Sequence, residues 1–184
     1  SQTERRTLQG RAGAIEVARD AASVPDGGAP RGVAVIAHPH PLFGGTMDNK
    51  VVQTLARAFV QCGWTAVRFN FRGVGATLGV HDGGRGELQE LLAVVEQVAP
   101  AGEGAQPLAL AGFSFGAFVT SHALATLWPQ RYIDRAVLVG TAASRFTVAP
   151  VPPEAHLRTL VVHGEQDDTV ALSAVMDWAR PQTL

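Results

Sequence analysis

Short, wholly apolar runs alternate along this chain with longer segments whose apolar residues recur every three or four positions. Val33 to Ala37 carries no polar alternation, the mark of a strand covered on both faces. Between Asn49 and Gly63, Val51, Val52, Leu55, Phe59 and Cys62 form one stripe. Lys50, Gln53, Arg57 and Gln61 lie opposite, and Gly63 stops the segment. That spacing predicts a helix. Trp64 to Phe71 reads as the next strand, followed by a glycine-rich loop from Arg72 to Gly86. Leu88, Leu91, Leu92, Val95 and Val98 make a second helical stripe. Strands are then predicted at Leu108 to Gly112, Ala136 to Gly140 and Leu160 to Val162, and helices at Phe115 to Leu127 and from Leu172 to Ala179. The loop Pro25 to Gly32 separates this series from a strand near the N-terminus.

Strands alternating with helices imply right-handed crossovers and a mainly parallel sheet, the α/β class, with helices on both faces. Ligands on such sheets bind beyond the carboxyl ends of the strands. Candidate chemistry therefore belongs in the loops that directly follow each strand.

One such loop carries Gly112-Phe113-Ser114-Phe115-Gly116, lodged between a buried strand and an amphipathic helix. This is the context of a nucleophile elbow, a strained turn that exposes the serine oxygen. The flanking glycines fit it sterically, because a side chain there would strike the neighbouring strand or helix. The helix that follows directs its first N–H groups toward negative charge developing at Ser114. A serine needs a base, and the base needs an orienting acid. After the strand Leu160 to Val162 come Asp167 and Asp168, on the same sheet edge as Ser114. Asp167 is the candidate acid and Asp168 the alternative, with capping of the helix near Leu172 as the plain structural role for either.

A third loop reads His38-Pro39-His40-Pro41-Leu42-Phe43-Gly44-Gly45. An oxyanion hole needs one backbone N–H from this loop and one from the residue after the nucleophile. Proline has none, so His40 or Leu42 must donate; His40 is favoured, beside Phe115. A competing reading makes His38 and His40 a metal pair, joined by His163 and Asp167, which would leave Ser114 without a purpose. Phe43, Phe113, Phe115 and Phe146 are candidates for apolar substrate walls, with core packing as the alternative. Arg72 follows a strand end, where it could hold an anionic substrate group or pair with Asp82 or Glu87.

Composition narrows the remaining choices. At 184 residues the chain has the length of one domain, and 46% hydrophobic with 17% charged residues suits a buried core. A net charge of −1 without a basic run gives no reason to expect nucleic acid as a partner. No apolar run approaches the roughly 20 residues of a membrane span. The opening Ser-Gln-Thr-Glu-Arg-Arg lacks the apolar core of a secretory leader, and Cys62 is the sole cysteine, so a cytoplasmic location is expected.

Four motifs in order, His-Pro-His-Pro-Leu-Phe-Gly-Gly-Thr-Met-Asp-Asn-Lys, Arg-Phe-Asn-Phe-Arg-Gly-Val-Gly, Gly-Phe-Ser-Phe-Gly-Ala and His-Gly-Glu-Gln-Asp, resemble the small lidless bacterial serine hydrolases of the α/β-hydrolase superfamily, the dienelactone hydrolase-like branch. The resemblance spans roughly residues 30 to 184. It implies hydrolysis of small acyl esters or thioesters by a Ser-His-Asp triad without a cofactor, with Ser114 as nucleophile, Asp167 as acid, and His40 and Phe115 as oxyanion donors. It also implies a histidine several tens of residues after the acid, on a loop following one further strand. No histidine follows His163 here, so the expectation is a single domain, 1–184, whose catalytic histidine, last strand and last helix lie beyond Leu184. The alternative is a hydrolase-fold binding protein without a base. Only 18 residues, Thr141 to Arg158, join the last two predicted strands where lids are inserted in this fold, so the expected site is open and shallow.

Overall fold

Residues 3–184 are described by a computed structural model. Its strands are β1 (Thr3–Gly10), β2 (Gly13–Asp20), β3 (Val33–Ala37), β4 (Thr65–Phe69), β5 (Leu108–Phe113), β6 (Ile133–Val139) and β7 (Thr159–Val162). Its helices are α1 (Lys50–Gln61), α2 (Arg85–Val98), α3 (Phe115–Leu127) and α4 (Leu172–Ala179). The strands form one sheet in the order β1-β2-β4-β3-β5-β6-β7. From β4 through β7 every pairing is parallel, whereas β1–β2 and β2–β4 are antiparallel. This is the mainly parallel α/β sheet that the alternation of strands and helices predicts.

Alternation inside the buried strands sorts the two faces. Val33, Val35, Leu108 and Leu110 point into the larger core shared with α2 and α3. Ala34, Ile36, Ala109 and Ala111 point to the other face, beneath Val52, Ala56 and Phe59 of α1. Small alanines let α1 approach closely, while branched residues fill the wider layer opposite. The α1 face is not fully covered. A groove of about 810 Å³ runs between α1 and the β6–β7 side, lined by Leu55, Phe59, Val137, Leu160 and Val162 among others. There β7 is the edge strand, and Leu160 and Val162 are exposed.

Three details depart from the sequence pattern. The N-terminus holds a two-stranded hairpin rather than one strand, because β1 is an edge strand exposed along most of its length and carries almost no apolar signal. The buried stripe of α1 is Val52, Ala56 and Phe59; Cys62 falls outside the helix and is exposed, while Asn49 caps it by accepting from the Val51 and Val52 N–H groups. The inner face of α2 begins with two buried carboxylates, Glu87 and Glu90, one turn before Leu91 and Val94. Among the described residues no helix is long and apolar enough to cross a membrane.

Candidate active site

Ser114 stands between β5 and α3 with φ 57° and ψ −114°, and it is the one non-glycine residue with positive φ among the described residues. Such a conformation is costly for a residue with a Cβ, roughly 1–3 kcal/mol, and persists only where its surroundings enforce it. The enforcement is visible on both sides. A Cβ on Gly112 would stand 2.4 Å from the Gly116 carbonyl oxygen, and one on Gly116 would stand 2.3 Å from that of Ala37. The Ser114 N–H donates to Val139 at 2.9 Å, extending the sheet ladder to the turn itself. Its hydroxyl makes no capping bond to α3, and the residue is half-exposed. As the first residue of α3, Phe115 has an N–H with no intrahelical acceptor.

The close contact at Gly116 seats the first turn of α3 against the end of β3, where the His38–Gly45 loop begins. His38 is fully buried; its Nδ1 lies 2.6 Å from the Pro39 carbonyl, and its Nε2 accepts the Phe71 N–H at 3.0 Å. These bonds fix the tautomer with the proton on Nδ1. Burial lowers its pKa to about 4, against the opposing pull of the Pro39 carbonyl. With both ring nitrogens engaged inside the protein, His38 has no lone pair to offer a metal. Among the described residues there is also no group of three metal-ligating side chains.

His40 is arranged differently. Its Nδ1 accepts the Leu42 N–H at 3.1 Å, and its carbonyl accepts from Phe43 and Gly45 at 3.1 and 3.0 Å. Its own backbone N–H has no acceptor among the described residues. The His40 ring packs at 4.9 Å from the Phe115 ring, so the two N–H groups expected to act together come from segments in direct contact.

Asp167 lies beyond β7, in the turn that precedes α4. Its Oδ1 accepts the N–H groups of Thr169 and Val170, both at 2.8 Å. Its Oδ2 lies 3.7 Å from His163 Nε2 and 3.8 Å from the position of a Cβ on Gly140, just past β6. The Gly140 N–H donates to Val162, which carries the ladder from Ser114 through β6 to β7. Ser114, Gly140 and His163 therefore lie level along the carboxyl edge. Asp168 is exposed, and neither acid caps α4, whose first flanking residue, Ala171, makes no side-chain cap.

The remaining candidates separate by burial. Phe43 is 75% exposed beside His40. Phe113 packs partly buried on the α1 face, its ring close to Gly140. The Phe115 ring is fully buried and belongs to the core, so it forms no open wall. Phe146 bridges outward, stacked on Phe118 at 4.7 Å and 5.8 Å from His40. Arg72 pairs with Glu90 rather than with Asp82 or Glu87, through a 2.8 Å contact and further bonds from its Nε and backbone N–H. Burial, the largest influence, raises the Glu90 pKa against the pull of the Arg72 guanidinium, while Glu90 reinforces the charge on Arg72. With its guanidinium occupied in this way, Arg72 is structural.

Sequence reasoning passed over His81 and considered Glu87 only as a partner for Arg72. Glu87 accepts the N–H groups of Gly84 and Asp82, closing the glycine-rich loop. His81 Nδ1 lies 3.3 Å from Glu87 Oε2, off the line of a hydrogen bond, with its ring 4.9 Å from that of His40. The available signal was a glutamate three residues after Gly84 at a helix start, the spacing of a capping box.

Residues 28–151 match the family described as serine aminopeptidase, S33. Among solved structures, a Xanthomonas campestris protein described as an a/b serine hydrolase without lid is 39% identical with a TM-score of 0.86; the match covers 98% of this chain and 79% of that one. An α/β serine hydrolase homologue from Coxiella burnetii is 35% identical with a TM-score of 0.78, covering 96% and 81%. An uncharacterized Rickettsia prowazekii protein is 41% identical over 87 residues, 47% of this chain and 37% of that protein's length.

Proposed function

This chain belongs to the α/β-hydrolase superfamily, in the serine aminopeptidase S33 family and beside the lidless serine hydrolases, and on that premise we propose that it cleaves small acyl esters or thioesters with Ser114 as nucleophile. The observation that carries the proposal is the Ser114 backbone. A φ of 57° on a residue with a Cβ, walled by two glycines that tolerate no side chain, is strain kept at a site where a hydroxyl must project.

In this reading each group has a defined role. Ser114 Oγ attacks the acyl carbon while a histidine takes its proton. The carbonyl oxygen, now an anion, receives the N–H groups of Phe115 and His40, each donor worth about 3 kcal/mol. The histidine returns the proton to the departing alcohol or thiol as its bond to carbon breaks. Water then attacks the acyl-serine, loses a proton to the same histidine, and Ser114 recovers it as the acid leaves. Asp167 suits the orienting acid, because two backbone N–H groups hold Oδ1 and leave Oδ2 for the imidazole.

Five of the six histidines of the sequence hydrogen-bond to the backbone through a ring nitrogen. His38 and His156 each have both ring nitrogens engaged, and His40 uses its lone pair on Leu42. His122 and His163 direct Nε2 to the Thr147 and Val170 carbonyls, and His81 turns Nδ1 toward Glu87. This reading assigns the role of base to none of these six histidines. The short β6–β7 connection, which builds no covering helices beyond the turn Pro153–Arg158, supports a preference for small or flexible acyl groups, with Phe43 and Phe113 as the proposed apolar walls. The proposed location is the cytoplasm.

The test is hydrolysis of p-nitrophenyl esters of increasing acyl length by the full-length protein. The reading expects the highest kcat/KM on short chains and a loss on the order of 10⁴-fold or more in Ser114→Ala. Esterase activity that survives Ser114→Ala would sink it.

A further inference from the structure

The loop that ends β3 is closed on itself by one residue. Pro39 and Pro41 have no N–H, and those of Leu42, Phe43 and Gly45 are all taken up by His40, the first by its Nδ1 and the others by its carbonyl. Accepting at Nδ1 requires a neutral imidazole with its proton on Nε2. The ring is held by Phe43 at 4.8 Å, His81 and Phe115 at 4.9 Å and Phe146 at 5.8 Å, from three further segments of the carboxyl edge. Without the Nδ1 acceptor, the Leu42 N–H would be a further free donor on the same short loop, and the turn that aims the His40 N–H would lose one of its three bonds.

We propose that the His40 side chain is a positioning residue: by accepting the Leu42 N–H it fixes the turn that presents the His40 backbone N–H to the oxyanion. This rests on the serine hydrolase reading above. Burial lowers the His40 pKa, and the charges of His81 and Arg145 lower it further against an opposing pull from Glu87. The lone pair that the turn needs is thus present throughout the neutral range.

Ring and acceptor can be separated in the full-length protein. His40→Phe keeps a ring for the aromatic contacts but accepts nothing, whereas His40→Asn drops the ring and can accept the same N–H two residues on, as asparagine does in turns. The proposal expects crossed effects. His40→Phe should hold its Tm yet lose about 10²-fold in kcat on a p-nitrophenyl ester, with KM within about threefold. His40→Asn should lose Tm but keep kcat within about fivefold, the rescue that a packing role does not give. Leu42 amide exchange should be protected in wild type and His40→Asn and fast in His40→Phe. The proposal is overturned if kcat follows the ring instead of the acceptor, or if the wild-type Leu42 amide exchanges freely. An inactive wild-type protein with a protected Leu42 amide would count against the serine hydrolase reading and leave the turn itself as described.

Discussion

Gly116 lies so close to Ala37 that a Cβ on the glycine would stand 2.3 Å from the Ala37 carbonyl oxygen. This contact joins the start of α3 to the end of β3, and with them the two loops that hold Ser114 and His40. Backbone atoms on both sides leave nothing flexible to yield. Gly116→Ala is expected to cost several kcal/mol or to abolish folding, since overpacking against backbone forces the elements apart. Urea denaturation checks this, and a loss below about 0.5 kcal/mol would show that the contact is looser than described.

The strain at Ser114 gives a prediction with opposite signs for stability and activity. Glycine adopts φ 57° without penalty, so Ser114→Gly should be more stable than Ser114→Ala by about 1 kcal/mol, the relief exceeding the entropy that glycine adds to the unfolded chain. Both variants should be inactive. Equal stability of the two would mean that the turn is not strained.

Asp167 both closes its turn and, in the proposed mechanism, orients the base. Asp167→Asn can keep the Oδ1 bonds to Thr169 and Val170 but loses the charge, so it should fold with nearly unchanged Tm while kcat falls about 10³- to 10⁴-fold. Asp167→Ala should lose both activity and about 1–2 kcal/mol of stability. Asp168→Asn, on an exposed residue, should change neither by much. An Asp168→Asn loss as large as that of Asp167→Asn would reassign the acid.

Neutral, buried His38 links stability to pH. Its pKa falls from 6.5 to about 4 on folding, so between those values the unfolded chain binds the extra proton. Its stabilising contribution is complete above about pH 6.5 and lost as pH falls toward 4, about 3 kcal/mol in all. Urea unfolding from pH 7 to pH 4.5, with the His38 imidazole followed by NMR, checks both the slope and its source. A His38 resonance titrating near 6.5 would contradict it.

The parallel series from β3 to α4 was legible because its central strands, β3 to β5, are buried on both faces and read as nearly uninterrupted apolar runs, as in Val33 to Ala37. The hairpin partner β1 was not, since an edge strand such as Thr3–Gly10 satisfies its ladder on one side and leaves polar side chains in water. At the proposed site, Ser114, Asp167 and His40 were candidates in the sequence because chemistry restricts their residue types and the strand ends restrict their places. The Arg72–Glu90 pair could not, because a buried ion pair needs only an arginine and a carboxylate that meet in space, and several acids in the loop qualified. Glu90 sits three residues after Glu87 on the inner face of α2, a position that hydrophobic periodicity assigns to an apolar residue.

The central claim is that Ser114 is an activated nucleophile. The most direct measurement is reaction of the full-length protein with a fluorophosphonate probe, followed by mass-spectrometric mapping of the adduct. The account predicts one phosphonylated residue, Ser114, with labelling abolished in Ser114→Ala. Labelling of another residue, or none in a protein that hydrolyses p-nitrophenyl acetate, would contradict it.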